Sequence, residues 1–241
     1  PMNEPVTVQR GVISPIQCYQ EGWELIKDEY WVIFAASAVG MLLGSIVPFG
    51  ILLGPMMCGI YLIMLRRMRG ETVLVDHLFK GFEWFGPSLV TFLLTLVAVM
   101  VMFVPVGIVV AVAAVAGHAV GGEEAAALAG VLIGSLGLFA VMGLGTLFTF
   151  AYPLIVEHDL DAMDALKLSA QGGMANLPGL VGLFLLNIAL SLVGTCFFLV
   201  GSYLVMPLSF AALAVAYKKV YGLAQTPAYR KLGLDPLTPA G

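Results

Sequence analysis

Long apolar stretches separated by short polar segments make up most of this chain. A helix that crosses a bilayer needs ~20 predominantly apolar residues, with ~17 as the lower limit. The pattern therefore predicts an all-α integral membrane protein with six transmembrane helices. These helices lie approximately at Tyr30–Ile46, Phe49–Leu65, Pro87–Ala116, Ala127–Val156, Pro178–Thr195 and Phe198–Tyr217.

The third and fourth stretches are longer than one crossing requires. The third contains Pro105 and Gly107, and a proline inside a helix removes a hydrogen bond and kinks the helix. We interpret the third stretch as one kinked, tilted helix. An alternative splits both long stretches into hairpins and gives eight spans. That alternative needs a turn at Val104–Gly107, where no polar residue marks one.

Three short segments outside the long stretches place apolar residues at helical spacing and charged residues elsewhere. They predict amphipathic helices at the cytoplasmic interface, at Pro15–Asp28, Val73–Phe85 and Asp159–Ala170. In the second segment the apolar side is expected to comprise Val75, Leu78, Phe79, Phe82 and Phe85.

Each amphipathic segment leads into a pair of predicted spans. The pattern therefore predicts that the membrane domain (15–221) consists of three pseudo-repeats. Their approximate bounds are 15–70, 71–158 and 159–221. Repeats of this size are typical of duplicated membrane units, and here the three units share one orientation. A cytoplasmic N-terminal segment (1–14) and a cytoplasmic C-terminal tail (222–241) flank the domain.

All 11 lysines and arginines can be placed on one side of the membrane. The alternate connections, at Gly44–Phe49, Gly117–Glu124 and Gly194–Gly201, contain none. Cytoplasmic loops carry the excess of Lys and Arg in membrane proteins. The charge pattern therefore predicts a multi-pass protein with both termini in the cytoplasm.

Composition excludes two other classes of protein. The chain is 60% hydrophobic and 11% charged, with a mean hydropathy of +0.99, whereas soluble domains are about 25% charged. A net charge of −4 without a basic cluster argues against nucleic-acid binding. The 28 glycines fit close helix packing in lipid.

Several short motifs resemble a known group of proteins. They are Gly54-Pro55, the run Leu65-Arg66-Arg67 with Arg69-Gly70, the stretch from Asp76 to Phe82, Tyr152-Pro153-Leu154-Ile155, the stretch from Asp164 to Ser169, Pro207-Leu208 and Ala216-Tyr217. Their order resembles uncharacterised prokaryotic membrane proteins related to the membrane domain of some glycerophosphodiester phosphodiesterases. The resemblance implies a six-span fold in the prokaryotic cytoplasmic (inner) membrane. The resemblance assigns no catalytic residue to this chain, because the phosphodiesterase chemistry belongs to a separate barrel domain that is not in this sequence.

The sequence pattern predicts no catalytic, cofactor-binding or metal-binding residue. The predicted spans hold no ionisable side chain at mid-membrane depth, where such groups are expensive unless functional. Glu157, His158, Asp159, Asp161 and Asp164 form an acidic cluster that could bind a divalent cation. We expect this cluster instead to cap the third amphipathic helix and to stay solvated, with Asp159 or Asp161 as N-cap.

Two small sets of residues are candidates for binding. Arg66, Arg67 and Arg69 follow the second predicted span, where arginines can contact anionic lipid head groups. Asn187, Ser191 and Thr195 form a possible intramembrane polar site. For Asn187 a hydrogen bond to a neighbouring helix is the favoured interpretation.

The function that fits these observations is a non-catalytic membrane scaffold or accessory subunit. Its expected partners are membrane lipids and either another membrane protein or further copies of the chain. One alternative is a lipid-handling protein or small-molecule carrier, with a cavity along Asn187, Ser191 and Thr195. The other alternative is sensing of membrane shape by the three amphipathic helices.

Overall fold

A computed structural model of the chain describes residues 7–46, 50–196 and 200–233. Every regular element in these ranges is a helix, which confirms the all-α prediction. The α-helices are α1 (Pro15–Ile26), α2 (Tyr30–Ile46), α3 (Leu53–Met68), α4 (Phe85–Leu147), α5 (Ala151–His158), α6 (Ala162–Ala175), α7 (Leu177–Thr195) and α8 (Val200–Tyr221). In the same described ranges, 3₁₀ helices occupy Lys27–Glu29, Val75–Trp84 and Ala228–Leu232, in this order.

Within the described ranges, four helical stretches are long and apolar enough to cross a membrane. They are Pro15–Ile46, Val75–Ala116, Leu177–Thr195 and Tyr203–Tyr221. This agrees with a membrane protein. The connections predicted at Gly44–Phe49 and Gly194–Gly201 include residues 47–49 and 197–199, which lie outside the described residues.

The chain divides into two compact units, residues 1–92 with 147–241 and residues 93–146. Helix α3 forms the centre of the first unit, because 12 of its 16 residues are buried. It packs against α2, the second 3₁₀ helix, α5 and α8. A helix that is apolar on all sides is buried in a core, and α3 is apolar from Gly54 to Leu65.

Glycines bring α3 unusually close to the segment that follows it. A Cβ atom at Gly59 would overlap the carbonyl oxygen of Leu78, and one at Gly81 would overlap the carbonyl oxygen of Pro55. A Cβ atom at Gly54 would lie 2.5 Å from the carbonyl oxygen of Ser88. The backbones therefore touch where a larger residue would force them apart.

The second predicted amphipathic segment forms a 3₁₀ helix rather than an α-helix. Because this helix has 3.0 residues per turn, side chains three apart lie above one another. One stripe, Leu78–Gly81–Trp84, is buried, and a second, Phe79–Phe82–Phe85, is exposed. The expected single apolar side is therefore wrong: Leu78 and the three phenylalanines lie on different faces.

The other two short segments form α-helices. Helix α1 begins at Pro15, a residue whose fixed φ suits the first helical position. It lies along α8 and also contacts α7. Helix α6 begins after Asp161, which occupies the N-cap position without a side-chain capping bond, and continues to Ala175, beyond the predicted end at Ala170.

The second unit, Leu93–Thr146, is an antiparallel helical hairpin. Gly137 lies against Val106. A Cβ atom added at Gly134 would lie 3.8 Å from Cγ2 of Val110. A straight helix would hold the first pair about 46 Å apart, so the chain reverses near the middle of α4. The backbone nonetheless stays helical through Gly117–Glu124, where the sequence predicts a connection between two helices.

Helix α4 also continues without interruption through Val104–Gly107. Pro105 is accommodated inside the helix. The eight-span alternative requires a turn at this point, and that turn is not formed.

Replacing Gly81 with alanine is expected to destabilise the protein by roughly 1–3 kcal/mol, because the new methyl group must displace the backbone of α3. The matched control is Gly86→Ala, since an added Cβ at Gly86 meets no atom within 4 Å. Thermal unfolding of both variants in detergent measures the difference. Equal unfolding temperatures would contradict the close contact between α3 and the 3₁₀ helix.

Candidate functional site

Charged side chains are buried where α3 and α5 end. Arg66, Glu71 and Glu157 are at most 5% exposed. A buried charge is costly unless it is paired and hydrogen-bonded. This group, with Arg69 and Tyr229, is named the buried ion cluster below.

The turn after α3 forms the first ion pair of the cluster. Gly70 adopts a left-handed conformation with φ of 71°, which glycine reaches without a steric penalty. The Glu71 backbone N–H then donates to the Arg66 carbonyl oxygen at 3.1 Å. The reversal brings the Glu71 carboxylate to 3.0 Å from Nε of Arg66.

The second ion pair joins α3, α5 and the C-terminal segment. Arg69 Nη2 donates to Glu157 Oε1 and, at 2.9 Å, to the Ala224 carbonyl oxygen. The Ala224 backbone N–H donates to the same Glu157 oxygen at 2.9 Å. The Arg69 guanidinium lies 5.9 Å from the centre of the Tyr229 ring, within the range of a cation–π contact. Residues 224–229 are thereby fixed onto the cluster.

Neighbouring contacts extend the polar end of this unit. The Trp84 indole N–H donates to Asp159 Oδ1 at 3.0 Å, and Lys231 pairs with the other oxygen of Asp159. Asp159 has a positive φ of 55° and ends α5. A left-handed residue at this position is a common way to end a helix.

Asn176, between α6 and α7, fixes the N-terminal segment. Its Oδ1 accepts a hydrogen bond from the Val12 backbone N–H at 3.0 Å. Its Nδ2 donates to the carbonyl oxygens of Gln9 at 2.8 Å and Gly172 at 3.0 Å. Sequence reasoning missed this residue, because nothing local distinguishes an asparagine that bonds 167 positions away.

The three arginines predicted to contact lipid head groups are paired within the protein. Arg66 and Arg69 belong to the buried ion cluster. Arg67 donates from Nε to the Leu25 carbonyl oxygen at 3.0 Å and lies 3.3 Å from carboxylate oxygens of Asp28 and Glu29. Lipid contact by these arginines stays a prediction, and their established contacts are with protein groups.

The predicted intramembrane polar residues lie along α7. Asn187 Oδ1 accepts a hydrogen bond from the Ser209 hydroxyl of α8 at 2.7 Å, so Asn187 links two helices. The Thr195 hydroxyl donates to the Ser191 carbonyl oxygen at 2.8 Å, within α7. A binding role for Asn187, Ser191 and Thr195 stays a prediction.

The expectation that the acidic cluster stays solvated is wrong for Glu157. This carboxylate is buried and bonded to Arg69 and Ala224, whereas Asp161 and Asp164 are exposed. The reason is the long-range pairing, which the sequence around Glu157 does not indicate. In the described ranges, no group of three or more His, Cys, Asp and Glu residues is arranged to hold a metal ion.

Burial sets the protonation states around the cluster. It lowers the pKa of His158 below the usual range; the neighbouring Glu157 carboxylate opposes this effect and the Arg69 cation reinforces it. Burial raises the pKa of Tyr229 to about 12. At neutral pH His158 is therefore uncharged and Tyr229 keeps its proton. The arrangement is suited to structural ion pairing between α3, α5 and the C-terminal segment.

Comparison with protein-family models, curated proteins and solved structures finds no match to this chain.

Replacing Glu157 with glutamine is expected to lower the free energy of unfolding by about 3–5 kcal/mol, because it leaves the mostly buried Arg69 without its counter-charge. The matched control is Asp164→Asn. It removes one carboxylate from an exposed pair with Lys167, and such pairs contribute ~0–1 kcal/mol. Chemical denaturation in detergent compares the two variants. Similar losses in both would show that the cluster does not stabilise the fold.

Proposed function

We propose that the protein is a non-catalytic scaffold or accessory subunit that packs against other membrane proteins. The observation that carries this proposal is the surface of the second unit. Its helical hairpin exposes large apolar side chains on both arms, including Val115, Val131 and Leu136 at 69–75% exposure. Such a surface needs lipid or another apolar protein surface to cover it.

The packing of the hairpin supports the same role. Its arms meet through small residues, with Gly134 and Gly137 facing valines of the other arm. A Cβ atom at Gly130 would meet nothing within 4 Å. Small residues of this kind allow helices of different chains to approach closely in lipid. The hairpin therefore presents large exposed apolar side chains and, at Gly130, a small residue that allows close approach of a partner helix.

Topology is part of the proposal. The two arms of α4, together with α2, α3, α7 and α8, account for six crossings, with both termini in the cytoplasm. All 11 lysines and arginines belong to the first unit, and residues 93–146 contain none. This distribution supports a hairpin that crosses the bilayer and returns, in a prokaryotic cytoplasmic membrane. Three pseudo-repeats with interfacial helices remain our interpretation of this arrangement.

The alternatives have weaker support. A carrier with a polar path along Asn187 would need that amide free for a substrate, and its oxygen is bonded to Ser209. Sensing of membrane shape would use the exposed phenylalanine stripe of the 3₁₀ helix, which equally suits simple anchoring. The resemblance to the phosphodiesterase membrane domain stays a prediction, because the comparisons identify no relative.

A photoreactive amino acid in place of Leu136 tests the scaffold role directly. We expect irradiation in intact membranes to give one discrete protein adduct, which mass spectrometry identifies. The matched control is the same amino acid in place of Leu192 of α7, which is similarly exposed and is expected to react with lipid. Lipid adducts alone at both positions would overturn the proposal and favour an isolated, lipid-handling protein.

A further inference from the structure

A groove of about 670 Å³ lies between α1 and the last turns of α3 and α8. Met68, the last residue of α3, and Val215 and Lys218 of α8 line it together with residues of α1. In the topology proposed above, the last turns of α3 and α8 lie at the boundary between membrane and cytoplasm. The groove therefore lies at the depth of phospholipid head groups.

The lining of the groove combines an apolar floor with charges of both signs. Leu25, Met68 and Val215 supply the apolar part. Glu21 and Glu24 lie on the α1 side, and Lys218 lies on the α8 side. Among the residues that the structure describes, Lys218 forms no ion pair. A ligand that matches this lining has an anionic group, a cationic group and an apolar part.

The two carboxylates keep the capacity to bind a cation. Glu21 uses Oε1 in its ion pair with Lys219, and Glu24 uses Oε2 in its ion pair with Lys27. In each case the second oxygen remains an acceptor. The Trp23 side chain is 47% exposed beside them, and an indole face attracts ammonium groups.

The walls of the groove are held in place before any ligand binds. Arg67 donates to the Leu25 carbonyl oxygen at 3.0 Å, which ties α1 to α3. An added Cβ at Gly22 would lie 3.0 Å from the Ala212 backbone nitrogen, so α1 and α8 are in close contact. A preformed groove loses little conformational entropy when a ligand binds.

A row of aromatic side chains runs from the groove onto α2. The Trp23 and Tyr30 ring centres are 6.0 Å apart, and Tyr30 stacks on Phe34 at 6.2 Å. Helix α2 is apolar along its length from Tyr30. An acyl chain that leaves the groove along this row stays in contact with apolar surface.

We propose that this groove binds phosphatidylethanolamine, a phospholipid whose head group carries an ammonium. Lys218 pairs with the phosphate, and Glu21 and Glu24 accept hydrogen bonds from the ammonium, which lies against Trp23. The acyl chains follow the apolar floor and the aromatic row. The two carboxylates disfavour an anionic lipid that has no ammonium group. This inference rests on the proposed topology, which places the groove at the depth of the head groups. It does not depend on the scaffold role, because a partner subunit and a bound lipid occupy different surfaces.

Native mass spectrometry of the full chain in detergent, titrated with lipids of identical acyl chains, tests the proposal. The unaltered protein is expected to bind phosphatidylethanolamine more tightly than phosphatidylglycerol. Lys218→Gln is expected to weaken binding of phosphatidylethanolamine on the order of tenfold, the loss expected for one charge-assisted contact. The matched control, Lys167→Gln, alters an exposed lysine outside the groove and is expected to leave binding unchanged.

The proposed role of Glu21 and Glu24 is tested by the lipid selectivity of a variant, not by its affinity alone. Glu24→Gln is expected to reduce the preference for phosphatidylethanolamine over phosphatidylglycerol, and it leaves the Glu21–Lys219 ion pair intact. Glycerophosphoethanolamine, which lacks acyl chains, is expected not to displace the lipid at equal concentration. Equal binding of the two lipids by the unaltered protein, or equal effects of Lys218→Gln and Lys167→Gln, would overturn the proposal. Displacement by the free head group would assign the groove to a soluble ligand instead.

Discussion

The buried ion pair between Arg69 and Glu157 is the interaction on which the polar end of the first unit depends. It connects the end of α3 to the end of α5, 88 residues later, and the Ala224 backbone adds hydrogen bonds from the C-terminal segment. Removing two charges from water costs several kcal/mol per ion, so such a pair persists only where further hydrogen bonds complete it. Together with Arg66 and Glu71, it makes a buried group in which two positive and two negative charges cancel.

The two units differ in character: the first contains the ion pairs, and the second presents mainly apolar surface. The first unit contains all the lysines and arginines, and its ion pairs and Asn176 fix both terminal segments of the described chain. The second unit, residues 93–146, has only Glu123 and Glu124 as charged residues and exposes apolar side chains on both arms. The charged and polar groups of the first unit are therefore largely paired within the protein. The second unit is suited to contacts with lipid or with another protein.

Elements that depend on local patterns could be predicted from the sequence. The predicted span Tyr30–Ile46 coincides with α2, and the predicted Pro178–Thr195 agrees with α7 within one residue. Both are apolar runs whose ends are marked by a polar segment or a proline. The 3₁₀ helix could not be distinguished from an α-helix, because apolar residues three apart fit either form.

Contacts between distant segments could not be predicted. Glu71, Glu157 and Tyr229 look like ordinary residues of polar turns, and only the folded chain brings them to Arg66 and Arg69. Arginines after an apolar helix are equally typical of contact with lipid head groups and of internal pairing. Of the two carboxylates that decide between these roles, Glu71 follows Arg66 in the turn after α3, and Glu157 lies 88 residues beyond Arg69. No periodic pattern signals such a pair, because its members lie on different elements.

In the proposed topology the polar end of the first unit lies in the cytoplasm, and α7 crosses the membrane away from it. Helix α7 runs about 28 Å from Asn176, at this polar end, to Cys196. Cys196 is exposed, whereas the other two cysteines, Cys18 and Cys58, are buried. The most direct measurement is labelling of Cys196 in intact cells with a membrane-impermeant maleimide, with Cys196→Ser as the control. This topology predicts labelling from outside the cell, and it predicts that Lys167→Cys in the Cys196→Ser protein reacts only after permeabilisation. The reverse result, with Cys196 protected and position 167 labelled in intact cells, would contradict it.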